Sequence, residues 1–373
     1  MNPIPQIAII GGGLAGLTAA IHLCKAGKLV VLFEKNTYPK HKVCGEFISN
    51  EVLPYFNLLG LKISELNPTS IDKTTISISS GKSISAHLPL GGFGISRYQL
   101  DHYLYEKAKE FGCLIIHQQV NEIEFSEDSF TIQTENNETF QAKVVLGAFG
   151  KRSNLDVKLQ RNFIQKKSPW LGVKAHYKGD FPNDLVALHN FEGGYCGVSK
   201  VEDGLINICY LSNYESFKKH KSILDFQLNV LNKNPKLKAI FENSELLFDK
   251  PLTISQISFE TKEQVENHIL MLGDTAGLIH PLCGNGMAMA IHSAKIASGC
   301  TIDFLNGKIN RKELEVNYIN EWNFNFNSRI KIGKQLSKLL LNPFLSNLLM
   351  KWLIIFPKLL PYIIQKTHGK PIQ

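Results

Sequence analysis

Apolar positions run unbroken from Ile7 to Ile10, stop at three glycines, and resume from Leu29 to Phe33 after a stretch with helical spacing. An uninterrupted apolar run bounded by glycine predicts a strand buried on both faces. Residues 6–11 (QIAIIG) and 29–34 (LVVLFE) therefore read as strands, with a helix from Leu14 to about Ala26 between them, which makes one βαβ unit. Residues 74–96 read as strands with glycine turns. From Ser96 (SRYQLDHYLYEKAKEFG), Leu100, Leu104 and Ala108 recur at helical spacing until a glycine stops them. LIIHQQV, NEIEFSED, FTIQTENN and AKVVLGAFG follow as short strands. From about 154 to 260 the pattern alternates and is rich in turns, which predicts a mostly antiparallel sheet. Residues 268–273 (HILMLG) return to a buried strand, GMAMAIHSAKIASGCTIDFL reads as a helix, and the remainder is helical and apolar, interrupted by Pro343, Pro357 and Pro361.

This order predicts three units: a discontinuous first unit over 1–73, 97–153 and 261–305, a second over 74–96 and 154–260, and a helical region over 306–373. A chain of 373 residues with 44% hydrophobic and 20% charged composition is long enough for such units and can bury a large ligand. Seven cysteines without a C-x-x-C pair or a Cys/His cluster argue against a disulfide framework and a metal site, and point to a reducing compartment, the cytoplasm. The start, MNPIPQIAIIGGG, lacks a basic n-region and reads as strand rather than as a leader.

The net charge of +8 resembles a nucleic-acid signal until it is located. After Glu321 there is no acidic residue, while Arg329, Lys331, Lys334, Lys338, Lys351, Lys358, Lys366 and Lys370 are all basic. The rest of the chain is neutral, so no nucleic-acid partner is expected.

Gly11-x-Gly13-x-x-Gly16 lies directly after a strand and opens a helix, and Glu34 ends the next strand. The first glycine permits the tight turn, the second lets a pyrophosphate approach the backbone, and the third lets helix and strand pack. Glu34 can accept hydrogen bonds from an adenosine ribose, and the helix start at Leu14 and Ala15 offers partial positive charge to phosphate. A second signal is ILMLGDTAGLIHPLCGNGMAMAI, in which Gly273 and Asp274 follow a buried strand and Pro281, Gly284, Asn285 and Gly286 open a helix. A carboxylate just past a strand can hold ribityl hydroxyls, and the amides of the following helix can stabilise negative charge.

Together these motifs resemble the FAD-dependent oxidoreductases that include aromatic hydroxylases, flavin halogenases and geranylgeranyl reductases. That family carries G-D-A-A-G-x-x-x-P-x-x-G-x-G where this chain reads G-D-T-A-G-L-I-H-P-L-C-G-N-G. The resemblance implies an α/β fold: a Rossmann-type FAD-binding domain of the aromatic hydroxylase type, an inserted antiparallel substrate domain and a C-terminal helical region. It also implies that Arg97, at the start of a helix, lies near the cofactor, with Lys35, Val120, Ala148, Gly150 and Met287 along it. The family's G-A-D-G-x-x-S reads Gly147-Ala148-Phe149-Gly150-Lys151-Arg152-Ser153 here, with phenylalanine at the aspartate position linked to NAD(P)H handling.

Geranylgeranyl reductases carry P-x-x-K-x-C-G in the loop after the ribose-binding acid, and Pro39-Lys40-His41-Lys42-Val43-Cys44-Gly45 matches it. Gly45 is expected to allow close approach to the flavin, Lys42 to pair with the cofactor or with Glu46, and Cys44 to form a small wall of the site. The catalytic candidates are Cys44, Glu46 and His280. The reductases' Y-x-W-x-F-P is not matched by Tyr195-Cys196-Gly197-Val198-Ser199, and the halogenases' W-x-W-x-I-P is absent.

The expected activity is NAD(P)H-driven, FAD-dependent monooxygenation of a lipophilic aromatic or polyketide-like molecule. The alternatives are saturation of isoprenoid C=C bonds and a non-catalytic, membrane-associated flavin protein. The C-terminal region contains no uninterrupted apolar run of about 18 residues, so it is expected either to cap the substrate domain or to lie peripherally on a membrane surface.

Overall fold

The computed structural model describes residues 6–373; residues 1–5, on which part of the reading of the N-terminus rests, lie outside the described residues. The chain opens as β1 (Ile7–Ile10), α1 (Leu14–Lys25) and β2 (Val30–Phe33), with the strands parallel and buried throughout. After β3 (Phe47–Ser49), α2 (Leu53–Leu58), β4 (Thr69–Ser77) and β5 (Ser83–Gly94), the helix α3 (Arg97–Glu110) begins where the Ser96 hydroxyl accepts the Gln99 N–H. It ends at Glu110, with Phe111 as its C-cap and Gly112 next, whose φ of +90° suits glycine. Next come β6 (Leu114–Ile116), an antiparallel meander of β7 (Val120–Ser126), β8 (Ser129–Thr134) and β9 (Thr139–Ala142), and then β10 (Val144–Gly147), which pairs in parallel with β1.

A short α4 (Asn154–Lys158) leads into β11 (Trp170–Gly179), β12 (Leu185–Phe191), β13 (Gly194–Lys200) and β14 (Ile206–Asn213). Three helices then interrupt the region read as strands, α5 (Tyr214–Phe217), α6 (Ile223–Asn229) and α7 (Pro235–Glu242), before β15 (Ser244–Leu246) and β16 (Leu252–Ser255). Their sequence signals are Ser222 capping the N–H of Asp225, and Asn234 followed by Pro235 at the first helical position. β17 (Val265–Glu266), β18 (Ile269–Met271), α8 (Gly286–Leu305), α9 (Arg311–Leu341), α10 (Pro343–Ile355) and α11 (Leu359–Thr367) complete the chain. Pro343 and Pro357 fall at helix boundaries, whereas Pro361 lies in the first turn of α11, where a missing N–H breaks no helical bond.

Two main sheets result. The first, ordered β17-β18-β10-β1-β2-β6, carries α1, against which α3 and α8 pack, and is largely parallel. The second, ordered β15-β11-β14-β13-β12-β4-β5-β3 with β16 on β11, is antiparallel except where β12 runs parallel to β4. β4 starts at Thr69, so the boundary drawn after residue 73 falls inside a strand, whose alternation is interrupted by a register shift between Ile71 and Lys73.

Candidate functional site

The loop ends of the first sheet, the face of the second sheet and the C-terminal helices enclose one cavity of about 1300 Å³. The glycine turn forms one end of it. Gly11 has φ +109° and packs so closely that a Cβ would lie 2.4 Å from the Ala148 carbonyl oxygen, and a Cβ on Gly16 would lie 2.0 Å from the Gly11 carbonyl oxygen. These two glycines are therefore required by the protein's own packing. Gly13 differs: its Cβ would meet nothing nearer than an Arg97 guanidinium nitrogen at 3.8 Å, so the space it leaves faces the cavity. The Glu34 carboxylate accepts N–H groups from Gly12 and Asn36, both at 2.9 Å, and so fixes the turn while facing the cavity.

Among the helices whose N-termini lack a side-chain cap, α1 behind Gly13 and α8 behind Asn285 start beside the glycines that line the cavity. Unpaired N–H groups of this kind suit an anionic ligand. Between them lies Asp274, in the turn after β18. No described residue donates a hydrogen bond to its carboxylate, while its backbone carbonyl accepts the Lys262 ammonium at 2.7 Å. Arg161 holds the same turn, donating to the Thr275 carbonyl at 2.9 Å and pairing with Asp156 at the same distance. Burial lowers the Lys262 pKa to about 8, although the Asp274 charge opposes the shift.

Arg97 forms a two-pronged ion pair with the buried Asp101, with Nε at 2.7 Å and Nη2 at 2.8 Å, and Lys42 reaches the same carboxylate at 2.9 Å. Burial alone would raise the Asp101 pKa; Arg97 and Lys42 more than offset it and hold the group ionised. Glu46 lies behind this cluster, fully buried at φ +54°. It accepts the Arg97 backbone N–H at 2.8 Å, the Lys174 ammonium at 3.0 Å and the His176 ring N–H at 2.6 Å. Its burial is likewise outweighed, by His176 and Lys174 first, so its pKa falls below the ordinary carboxyl value. Asn207 on β14 donates to the carbonyls of Cys44 at 3.2 Å and Gly45 at 2.8 Å. The loop is thus stitched to the second sheet, and the Cys44 thiol rests 3.4 Å from the Met287 sulfur.

A cradle with a glycine gap, two uncapped helix starts and an unpartnered carboxylate fits a dinucleotide carrying a polyhydroxylated chain. The FAD binding domain family matches residues 5–316. The chain belongs to that family. Within its superfamily, the chain is 24% identical to digeranylgeranylglycerophospholipid reductase 2 of Methanothermobacter thermautotrophicus, over 89% of this chain and 85% of that protein. It is 23% identical to conditioned medium factor receptor 1 of Dictyostelium discoideum over 81% of this chain, but spans only 64% of that relative's length. In fold it is similar to the flavin-dependent brominase Bmp2, with a TM-score of 0.82 and 17% identity, covering 100% of this chain and 95% of that one.

Most of the residues singled out from the sequence for FAD line the cavity together. Gly11, Gly13, Leu14, Ala15, Glu34, Lys35 and Val120 do so at the glycine turn; Lys42, Cys44, Gly45, Arg97, Ala148 and Gly150 lie along one wall; Gly273, Asp274, Pro281, Gly284, Gly286 and Met287 lie along the other. Four candidates lie elsewhere. Gly16 is spent on helix packing. The Asn285 side chain turns away to the buried Glu51, at 3.1 Å, because Arg329 and Glu51 form a polar cluster behind α8. His280 faces a separate pocket against Phe259 and Trp170 rather than the cofactor cavity, and burial lowers its pKa to about 4. Glu46 has no exposed surface and its oxygens are taken, which removes it as an acid or base; its partner is Lys174 rather than Lys42, which Asp101 holds. Lys174, His176, Asn207, Lys262 and Arg161 escaped the sequence reading. None belongs to a local motif, and their partners lie 102 to 163 positions away, apart from the contacts of Arg161 with Asp156 and of Lys262 with Asp274.

Proposed function

We propose that the protein is an FAD-dependent oxidoreductase, supplied with electrons by NAD(P)H, that hydroxylates a lipophilic aromatic or polyketide-like molecule bearing a hydrocarbon chain. The observation behind this reading is the continuity of the cavity. It runs from the cradle past Cys44 and Tyr195 into a chamber walled by Leu188, Leu340, Leu349, Leu353, Leu360 and Ile364. An aliphatic chamber of this kind suits a hydrocarbon chain, which gains about 0.8 kcal/mol for each methylene removed from water.

Bound in the cradle, FAD would supply two-electron redox chemistry and the route to oxygen activation. The chain's residues do the rest. The α1 amides and the space at Gly13 would hold the pyrophosphate, Glu34 the adenosine ribose and Asp274 the ribityl hydroxyls. The uncapped α8 start places N–H dipoles beside the loop of Cys44 and Gly45, where negative charge would gather on reduction. Arg97 is kept charged and in place by Asp101, and the C-terminal helices exclude water from the reacting end. The balance is one substrate, one O2, one NAD(P)H and one proton giving hydroxylated product, water and NAD(P)+.

A second reading, saturation of isoprenoid C=C bonds, draws on the Pro39–Gly45 loop and on the relationship to the archaeal reductase along most of both chains. Incubation with NAD(P)H and chain-bearing phenols or polyprenyl lipids separates the two: oxygen uptake with a product about 16 Da heavier supports hydroxylation, and a gain of about 2 Da without oxygen uptake supports reduction. No turnover of either class with reducible FAD would overturn both.

A further inference from the structure

The same helices that wall the chamber present an outer face of the opposite kind. On α10 and α11, Leu349, Leu353, Leu360 and Ile364 point inward to the cavity. Phe344, Leu348, Trp352, Ile355, Phe356 and Tyr362 point outward, with Phe344 77% and Ile355 67% exposed. Phe344, Leu348, Trp352 and Ile355 recur at intervals of three and four residues, so they form one stripe along α10. Isolated exposed apolar residues are ordinary, but a contiguous stripe of large ones marks a surface that is covered by something.

The charge beside the stripe indicates what covers it. Lys351, Lys358 and Lys366 are exposed and none has a carboxylate partner among the described residues; Lys366 lies over the Tyr362 ring at 5.1 Å. The chain has no Asp or Glu after Glu321. Aromatic and aliphatic side chains flanked by lysines without carboxylate partners complement a layer of acyl chains beneath anionic headgroups, and fit a protein surface less well. Among the described residues no single helix is long and apolar enough to cross a bilayer, and the one pair that reaches that length together, α9 with α10, is bent by 105° between its members, so the geometry fits lying in the interface rather than a straight span.

We propose that the outer face of α10 and α11 docks peripherally on an anionic lipid surface, and that these two helices form the partition between that surface and the hydrocarbon chamber. The docking rests on the surface alone and not on the redox reading, so either can fail without the other.

The test is sedimentation of the full-length, FAD-loaded protein with phosphatidylcholine vesicles, with and without phosphatidylglycerol, followed also by tryptophan emission. Trp322 is buried and Trp170 is half-buried against His280, away from this face, so a blue shift on binding would report chiefly from the exposed Trp352. Binding to the anionic vesicles, weakened by salt, is expected. Reversing Lys351, Lys358 and Lys366 to Glu should weaken it by roughly a hundredfold or more, and Ile355→Asp with Phe356→Asp should abolish the blue shift. Variants with unchanged FAD absorbance and unchanged melting remain informative, because these side chains point away from the core. Absence of binding, or binding that neither variant alters, would overturn the proposal. So would light scattering that showed a dimer dissociated by Ile355→Asp, since a second copy would then be what covers the face.

Discussion

Lys174 on the second sheet reaches Glu46 in the loop after β2 at 3.0 Å, with both side chains fully removed from solvent. Removing one member of such a pair strands a buried charge, so Lys174→Met or Glu46→Leu should each cost about 3–5 kcal/mol, whereas the double variant should recover much of that loss. Urea unfolding of the three variants measures it. Single variants within about 1 kcal/mol of the parent would show that the pair carries no such weight.

The same carboxylate predicts an acid limb. Its pKa is lowered on folding, so its contribution is complete above the ordinary value of 4.5 and is lost as pH falls through the folded value. Stability should therefore drop more steeply below about pH 4.5 in the parent than in Glu46→Gln, which has no proton to gain at that position. Equal slopes in a denaturation series from neutral to acid pH would refute the assignment.

The glycine turn separates cofactor binding from folding. Gly13 has extended dihedrals and open space beside it, so Gly13→Val should fold with a melting temperature near the apo parent's and yet hold no FAD. Gly16→Val would drive a side chain into the Gly11 carbonyl and should damage the fold itself. Thermal melts paired with flavin absorbance distinguish the two. A Gly13→Val protein with full FAD content would remove the turn from the site.

This contrast also marks what a sequence can reveal. The βαβ unit and both glycine motifs were legible because each is a local pattern whose spacing carries its geometry. Spacing does not carry side-chain direction: Asn285 and His280 sit within a matching motif but turn to Glu51 and to a neighbouring pocket. Nor does it reveal partners fixed only by the tertiary fold, as when Asn207 secures the loop at Cys44 or Asp101 takes Lys42 from Glu46. The helices between residues 214 and 242 were missed for another reason. Alternation on the flanking strands masks them, although Asn234-Pro235 marks a helix start.

Asp274 offers a carboxylate that no described residue satisfies, as expected of a group kept for ligand hydroxyls. Asp274→Ala should weaken FAD binding by about 1–3 kcal/mol, roughly fivefold to 150-fold, without loss of fold, because Lys262 grips the backbone carbonyl and not the side chain. Equilibrium dialysis against free FAD checks it. Unchanged affinity together with an unchanged reduction potential would exclude Asp274 from the cofactor site.

Cys44 and Gly45 make the sharpest pair. The thiol rests 3.4 Å from the Met287 sulfur and has the Arg97 guanidinium within reach, and a Cβ on Gly45 would meet no protein atom within 4 Å. The loop is therefore not packed shut on itself; the room beside Gly45 belongs to the cavity. Cys44→Ser keeps the size of the wall, so FAD content and the rate of flavin reduction should stay near the parent's. Gly45→Val should leave the apo fold intact but fill ligand space, at a cost of about 1–3 kcal/mol, lowering FAD occupancy or turnover by up to about two orders of magnitude. Stopped-flow reduction of both loaded variants decides the matter. A slow Cys44→Ser with full FAD would assign the thiol a part in the chemistry, and a normal Gly45→Val would place the flavin away from this loop.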